Sequence, residues 1–517
     1  MAASQAPAPA EPGWQLRRAL ITASVMAATI MQVLDSTIAN VALPHMQASL
    51  AAAQDTIVWV LTSYIVAAAI ATPLTGWLAD RIGVKRLLII SIIGFVLASM
   101  MCGAAQNLSQ MVGFRAVQGV FGAFVVPLAQ TVMLGAYPKE RHGHAIAIWG
   151  MGVMIGPILG PVLGGWLTDN FDWRWVFYIN LPIGILALAG VWLFLGETER
   201  VSRRFDLIGF ALLALAIGAF QLLLDRGESE AWFDSWEIWI WAGLALSGLW
   251  MLIIHMSTES ETVIPAALLR DRNVITSLVF SMALGMILLA GMALLPPMLQ
   301  RLFGYPTVTT GLVLAPRGVG TLVAMMVVGR IVGRVDPRLL IFFGLSLTSL
   351  SLYQMTGFSL EMDSRPVVVS GLLQGLGLGF IFVPLNTIAF ATIDPRWRTD
   401  AASLLTLLRG LGASIGISVV TALLSRNLQV SHADLASRVT PFTVPMVDPA
   451  TARQLGATGD TALAALDLEV NRQALMIAYV DDFRLMLIIC LALMPLILFL
   501  KRPAMVAARP AAGLDER

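Results

Sequence analysis

The stretch GWLADRIGVKR, Gly76–Arg86, stands between two long apolar runs. Its order has a physical reading. Gly76 permits close approach of another helix, and Asp80 and Arg81 stand at a helix end. Gly83 supplies a turn that residues with a Cβ resist. Lys85 and Arg86 sit where lipid headgroups would meet the chain. An ordinary basic loop accounts for Lys85 and Arg86 but not for the whole series G-x-L-A-D-R-x-G-x-K-R.

The surroundings repeat this alternation of oily run and charged connection. The 517 residues are 57% hydrophobic and 13% charged, with a formal net charge of +1. Soluble domains carry about 25% charged residues. Here the charges crowd into short connections between apolar runs of about 20 residues, the length that crosses a hydrocarbon core of about 30 Å. About fourteen such runs are present by that length rule, centred near Ala28, Ala68, Gly94, Phe124, Gly156, Leu186, Leu215, Leu246, Gly285, Val323, Leu347, Phe380, Gly412 and Leu491. The expected fold is an all-α polytopic membrane protein, with the lipid bilayer as its first partner. Cys102 and Cys490 both fall inside runs, which argues against a disulfide framework or a metal site. Neither a cofactor nor nucleic acid is expected. No GxxxxGK[ST] phosphate loop occurs, which argues against ATP-driven chemistry. The apolar runs hold no polar cluster suited to an enzyme.

Lysines and arginines orient the runs. Alternate connections carry Arg17 and Arg18; Arg81, Lys85 and Arg86; Lys139 and Arg141; Arg200, Arg203 and Arg204; Arg270 and Arg272; Arg330, Arg334 and Arg338; Arg396 and Arg398; and Lys501 and Arg502. The intervening connections are nearly free of them. The positive-inside rule then places both termini in the cytoplasm.

Residues 1–17 and 501–517 read as cytoplasmic tails, the first disordered. Residues 18–197 form a first six-helix bundle, 204–257 two additional helices, and 272–500 a second six-helix bundle. Residues 425–479 read as a long loop on the far side. Its second part has helical spacing, with Leu463, Leu466, Val470, Ala474 and Ile477 sharing a side.

Asp35, in LDSTIANVALP (Leu34–Pro44), is the one carboxylate expected deep inside a run; Asp206, Asp400, Asp481 and Asp482 are expected at run edges. A charge at the membrane centre costs several kcal/mol unless paired or wet, and such residues are functional by default. Arg115 lies at a similar depth by helical rise and is the expected partner. Burial favours a neutral carboxylate and a nearby arginine a charged one, so a carboxylate balanced between them suits a proton carrier. Gln32, Ser36, Thr37 and Asn40 are expected to line the same cavity. Arg317 and Arg409 lie near the middle of their runs. Gln374 is a neutral residue able to satisfy them, and with Gln118 these side chains are the expected substrate cavity.

The Gly76–Arg86 series strongly resembles the signature loop of the major facilitator superfamily. The resemblance implies two six-helix halves and a conformational latch at Gly76, Asp80, Arg81, Gly83, Lys85 and Arg86. GRIVGRVDPR (Gly329–Arg338) is similar to a degenerate second copy in the second half, with Arg334 and Asp336 transposed. RAVQGVFGAF resembles the fourth-helix motif at Arg115, Gln118 and Gly119, which implies proton transfer. GVMIGPILGPVLGG, with Gly152, Gly156, Pro157, Gly160 and Gly164, resembles the antiporter motif, which implies export; on its own, a glycine period of four supports tight helix packing. LDSTIANVALP, WRWVFYINLPIG (Trp173–Gly184) and LLRGLGASIG (Leu407–Gly416) resemble the fourteen-helix drug:proton antiporters of the EmrB/QacA type.

That branch implies proton-coupled export of lipophilic toxic compounds across a bacterial inner membrane, with protons as the coupling ion. It also implies a periplasmic membrane-fusion adaptor and an outer-membrane channel as partners. Members that favour organic dications carry an extra acid in the tenth helix, and Thr309–Arg330 contains none. A dedicated exporter of one metabolite, lipid precursor or siderophore fits the same residues.

Overall fold

The computed structural model describes residues 13–53, 56–259, 261–439 and 459–501. Every described regular element is helical, because a backbone in hydrocarbon must satisfy its own hydrogen bonds. In chain order the α-helices are α1 (Trp14–Ser49), α2 (Trp59–Ala71), α3 (Leu74–Ile82), α4 (Val84–Gly103), α5 (Leu108–Ala136), α6 (His142–Asn170), α7 (Trp175–Tyr178), α8 (Asn180–Phe194), α9 (Leu207–Gly227), α10 (Trp236–Thr258), α11 (Ala266–Arg270), α12 (Arg272–Arg301), α13 (Thr307–Ile331), α14 (Pro337–Met355), α15 (Arg365–Ala391), α16 (Arg398–Arg438) and α17 (Gly459–Leu493).

Among the described residues, 13 helices are long and apolar enough to cross a membrane, and the bent pair α2/α3 makes 14. The bend of 59° falls at Thr72–Pro73, where proline has no amide to continue the ladder. All fourteen expected centres fall inside these helices. The chain is a multi-pass membrane protein of two six-span sets, α1–α8 and α12–α17, with α9 and α10 between them. The second, degenerate copy of the loop signature occupies the turn from α13 into α14, the place equivalent to the turn from α3 into α4.

The segment 425–479 differs from its expected form. Helix α16 runs on to Arg438 and α17 begins at Gly459, so both ends of the supposed loop are helix. The TPFTVPMVDPAT stretch and Leu463 lie outside the residues whose side chains are described. On α17, Leu466 and Val470 are half-buried and Ala474 is buried, while Ile477 points outward. The early start of α17 also moves Asp482 from an expected edge into a helix interior, where it is fully buried. Asp400 is buried as well, so Asp35 is not the sole buried carboxylate.

The two halves close on one another at the end that carries the basic connections. Gln130 near the end of α5 donates to Asn386 near the end of α15 at 2.9 Å. Trp149 of α6 stacks on Phe382 of α15 with ring centroids 5.8 Å apart.

Candidate functional site: a caged carboxylate and two buried arginines

Helices α5 and α8 both reach Asp35 of α1. Arg115 of α5 pairs with its Oδ2 at 2.7 Å, and both side chains are sealed from solvent. Gln118, one turn along α5, donates to Asp35 Oδ1 at 2.9 Å. Asn180, the first residue of α8, donates to the same oxygen at 2.7 Å and to Ser99 of α4 at 2.9 Å. Arg115, Gln118 and Asn180 thus each aim a donor at the carboxylate.

Arg115 has further support. Its Nε donates to Val60 O at 3.2 Å and its Nη1 to Gln118 Oε1 at 2.8 Å. Its guanidinium also lies 4.2 Å above the Tyr64 ring, a favourable cation–π position. Gly119 makes this possible, because a Cβ there would run into the Tyr64 backbone. The spacing R-x-x-Q-G therefore has a mechanical meaning: ion-pair partner, bridge, and clearance for α2.

The glycine stripe of α6 packs on the same helix as Asp35. Added Cβ atoms would meet Met26 at Gly152, the Val33–Leu34 backbone at Gly156, Thr37 at Gly160 and Ile38 at Gly164. Thr37 donates to Gly156 O at 3.1 Å. Helix α1 is thus gripped by glycines on one face and by the polar cage on another. Pro157 and Pro161 lie inside α6 without interrupting it.

The expected cavity does not form as one set. Gln118 belongs to the cage, and Gln32 donates instead to the Tyr64 hydroxyl at 2.9 Å. Asn40 is exposed, with its amide 3.4 Å from Ser36 O. Asn180 was not foreseen, although an asparagine between apolar residues in WRWVFYINLPIG was the signal available.

The second half holds the other members. Arg317 of α13 is 7% exposed. It donates to Leu288 O at 3.1 Å, while its Nε has no protein partner. Gln374 of α15 is fully buried with both amide atoms unpartnered by protein. The neighbouring Gly371 and Gly375 bring α15 against Arg317. Arg409 of α16 is half-buried over Phe382 and Trp149, at 5.1 and 6.0 Å, where the two halves meet.

At the basic end, the Gly76–Arg86 series divides. Asp80 lies 3.6 Å from Arg203, and Arg203 lies 3.3 Å from Asp400 of α16. A Cβ on Gly76 would strike the Asp400 carboxylate. Gly83 takes φ +93° at the turn into α4, a region that favours glycine. Arg81 instead covers Trp77, Lys85 donates to Trp192 O at 2.9 Å, and Arg86 pairs with Glu197 at 3.4 Å. These three bind the first half's own surface. Arg203 and Asp400 complete the contact between halves, and neither carried a motif.

A sequence profile described as Major Facilitator Superfamily matches residues 25–417. The chain belongs to the Major Facilitator Superfamily. It is a transporter and not an enzyme. It is 35% identical over 488 residues to the "Multidrug export protein EmrB" of Haemophilus influenzae, covering 94% of this chain and 96% of the relative. It is equally identical, over 488 residues and the same shares, to the "Fatty acid resistance protein FarB" of Neisseria gonorrhoeae. The human organic anion transporter MFSD10 (TETRAN) superposes with a TM-score of 0.60 at 13% identity, covering 92% of this chain and 99% of that one. That likeness concerns the major facilitator fold alone. Members of this superfamily fold work as two bundles rocking about a central site.

Proposed function

We propose that this major facilitator is a proton-coupled antiporter that exports lipophilic drugs or other toxic organic compounds across a bacterial inner membrane, both termini being cytoplasmic. The observation that carries the proposal is the sealed Asp35–Arg115 pair with its donors from α5 and α8. Protonating Asp35 removes the negative charge that holds Arg115, so the ion pair weakens. Arg115 can release the carboxylate and keep Val60 O, Gln118 Oε1 and the Tyr64 ring. No buried cation is then left bare, a situation that would cost about 3–5 kcal/mol. Proton uptake and loosening of α1 from α5 and α8 are one event, and the glycine contact with α6 passes that movement to a helix at the interface between halves.

The cargo side rests on Arg317 and Arg409. Inward cations with no carboxylate partner favour amphipathic compounds with an anionic group, and the names of the EmrB and FarB relatives accord with lipophilic cargo. We propose a periplasmic adaptor and an outer-membrane channel as further partners.

The test is flux in proteoliposomes with an imposed pH gradient, using acidic, neutral and cationic lipophiles side by side. Gradient-driven export with the acidic probe fastest is expected. Flux indifferent to the gradient would overturn the proton coupling. Equal rates for acidic and cationic probes would overturn the cargo preference.

A further inference from the structure

Arg203 lies in neither six-helix half. It belongs to the extended segment that leads from α8 into the additional helix α9. That segment is laid onto the first half: Val201 N donates to Asp80 O at 2.9 Å, Trp77 Nε1 donates to Arg203 O at 3.1 Å, and Phe205 packs on Trp77 at 4.5 Å. From this seat the guanidinium reaches Asp80 of the first half and Asp400 of the second, with Trp397 5.3 Å away beneath it. One cation therefore lies between two carboxylates that belong to different halves. Without it Asp80 and Asp400 would face each other as like charges.

Three residues further on, Asp206 ties together both ends of the additional pair. Its carboxylate caps α9 through Gly209 N at 2.8 Å, accepts from Val263 N at 3.1 Å and meets His255 of α10 at 2.8 Å. Arg203 touches the same return segment, 3.4 Å from Val263 O. At the opposite end of α9, Gln221 donates to Ser414 of α16 at 2.7 Å, and Ser418 of α16 donates to Leu224 O at 3.1 Å. Against the first half, α9 sets Gly218 beside Ile70 of α2, Asp225 against Thr62, and Arg226 5.7 Å from the Trp59 ring. The additional pair is therefore held against both halves.

We infer that the additional pair α9–α10 is a working part of the conformational switch: it sets the closed state through Arg203, a positioning residue whose reach to Asp400 is fixed by the Asp206–Val263–His255 clip. Opening the basic end requires Arg203 to leave Asp400, and the clip decides how readily it returns.

The test follows the closed state directly and needs no proton gradient, so it stands apart from the antiport proposal. A reporter Thr387→Cys, half-buried on α15 where that helix faces Gly143 of α6, is labelled with a maleimide in the purified full-length protein in nanodiscs. Arg203→Ala should raise the labelling rate on the order of tenfold, a shift of population toward the open form. Arg203→Lys should fall between, because lysine keeps the charge and loses the fork. The exchange Arg203→Asp with Asp400→Arg puts a cation back between two carboxylates and should restore slow labelling, which a variant that merely misfolds would not do. Asp206→Ser keeps a cap for α9 and is too short for Val263 N. It should raise labelling severalfold although residue 206 touches neither Asp80 nor Asp400. Unchanged labelling in Arg203→Ala, or no recovery in the exchange, would overturn the role of Arg203. Unchanged labelling in Asp206→Ser would overturn the part given to the additional pair.

Discussion

The two halves treat buried charge in opposite ways. In the first half, Arg115 meets one carboxylate oxygen at 2.7 Å, and two neutral donors meet the other. In the second half, Arg317 has a carbonyl and an unpartnered Nε, Gln374 has a bare amide, and Arg409 has aromatic faces. Among the described residues, no ion pair reaches Arg317 or Arg409. A charge that is already neutralised is suited to a small titrant that can enter a packed cage. A charge left without a counter-ion is suited to a larger partner that brings its own.

The severest challenge to that contrast is Asp35→Asn. It should abolish gradient-driven export while the protein still inserts, because the amide removes the titrating group and relieves the burial cost. Undiminished flux in vesicles would place the coupling elsewhere. Next comes Arg115→Ala, which leaves a buried carboxylate without its cation. Export should fall by roughly two orders of magnitude and thermal stability should drop, since breaking a buried pair costs about 3–5 kcal/mol. Arg115→Lys should recover part of the flux only, lacking the planar fork. A silent alanine variant would remove the pair from the mechanism.

In the second half the effects should be smaller and selective. Arg317→Gln or Arg409→Gln should raise KM for an acidic lipophile by about ten- to a hundredfold, in keeping with about 1.5–3 kcal/mol for a hydrogen bond to a charged group. Neutral cargo should be little affected. Equal losses for acidic and neutral cargo would mean that these arginines support the fold. Least of all should matter the segment 440–458. Shortening it should leave vesicle flux near normal and lower drug resistance in cells, if an adaptor docks there; no change in either assay would make it a spacer.

The same contrast explains what could be read in advance. Spans were legible because hydrocarbon imposes a length and excludes charge, so every expected centre lies in a helix. Asp35 and Arg115 were legible because each breaks an apolar run. Asn180 was harder, since an asparagine costs less in such a run and announces itself less. Arg203 and Asp400 were hidden for a different reason. Both sit among ordinary boundary charges, and only the approach of distant segments gives them partners. Residues of one depth need not share a cavity, because depth along a helix does not fix the direction of a side chain around it. Gln32, Gln118 and Asn40 share depths near Asp35, yet only Gln118 touches it. The connection at 425–479 reads as a loop because helices that outlast the membrane carry the same charged, polar composition as a loop.

That last feature has a mechanical consequence. Helix α16 has 41 residues, about 61 Å of rod at 1.5 Å per residue, roughly twice the hydrocarbon thickness of about 30 Å. It carries Asp400 at its foot and Arg409 part-way up. Beyond the membrane it lies beside α17, with His432 and Asp467 2.9 Å apart. A rod pinned at the foot amplifies: a tilt of about 10° would sweep its tip by about 10 Å, by the same helical rise. Release of one ion pair on one side of the membrane would thus be felt on the other as a displacement, available to whatever touches the tip before any cargo has crossed.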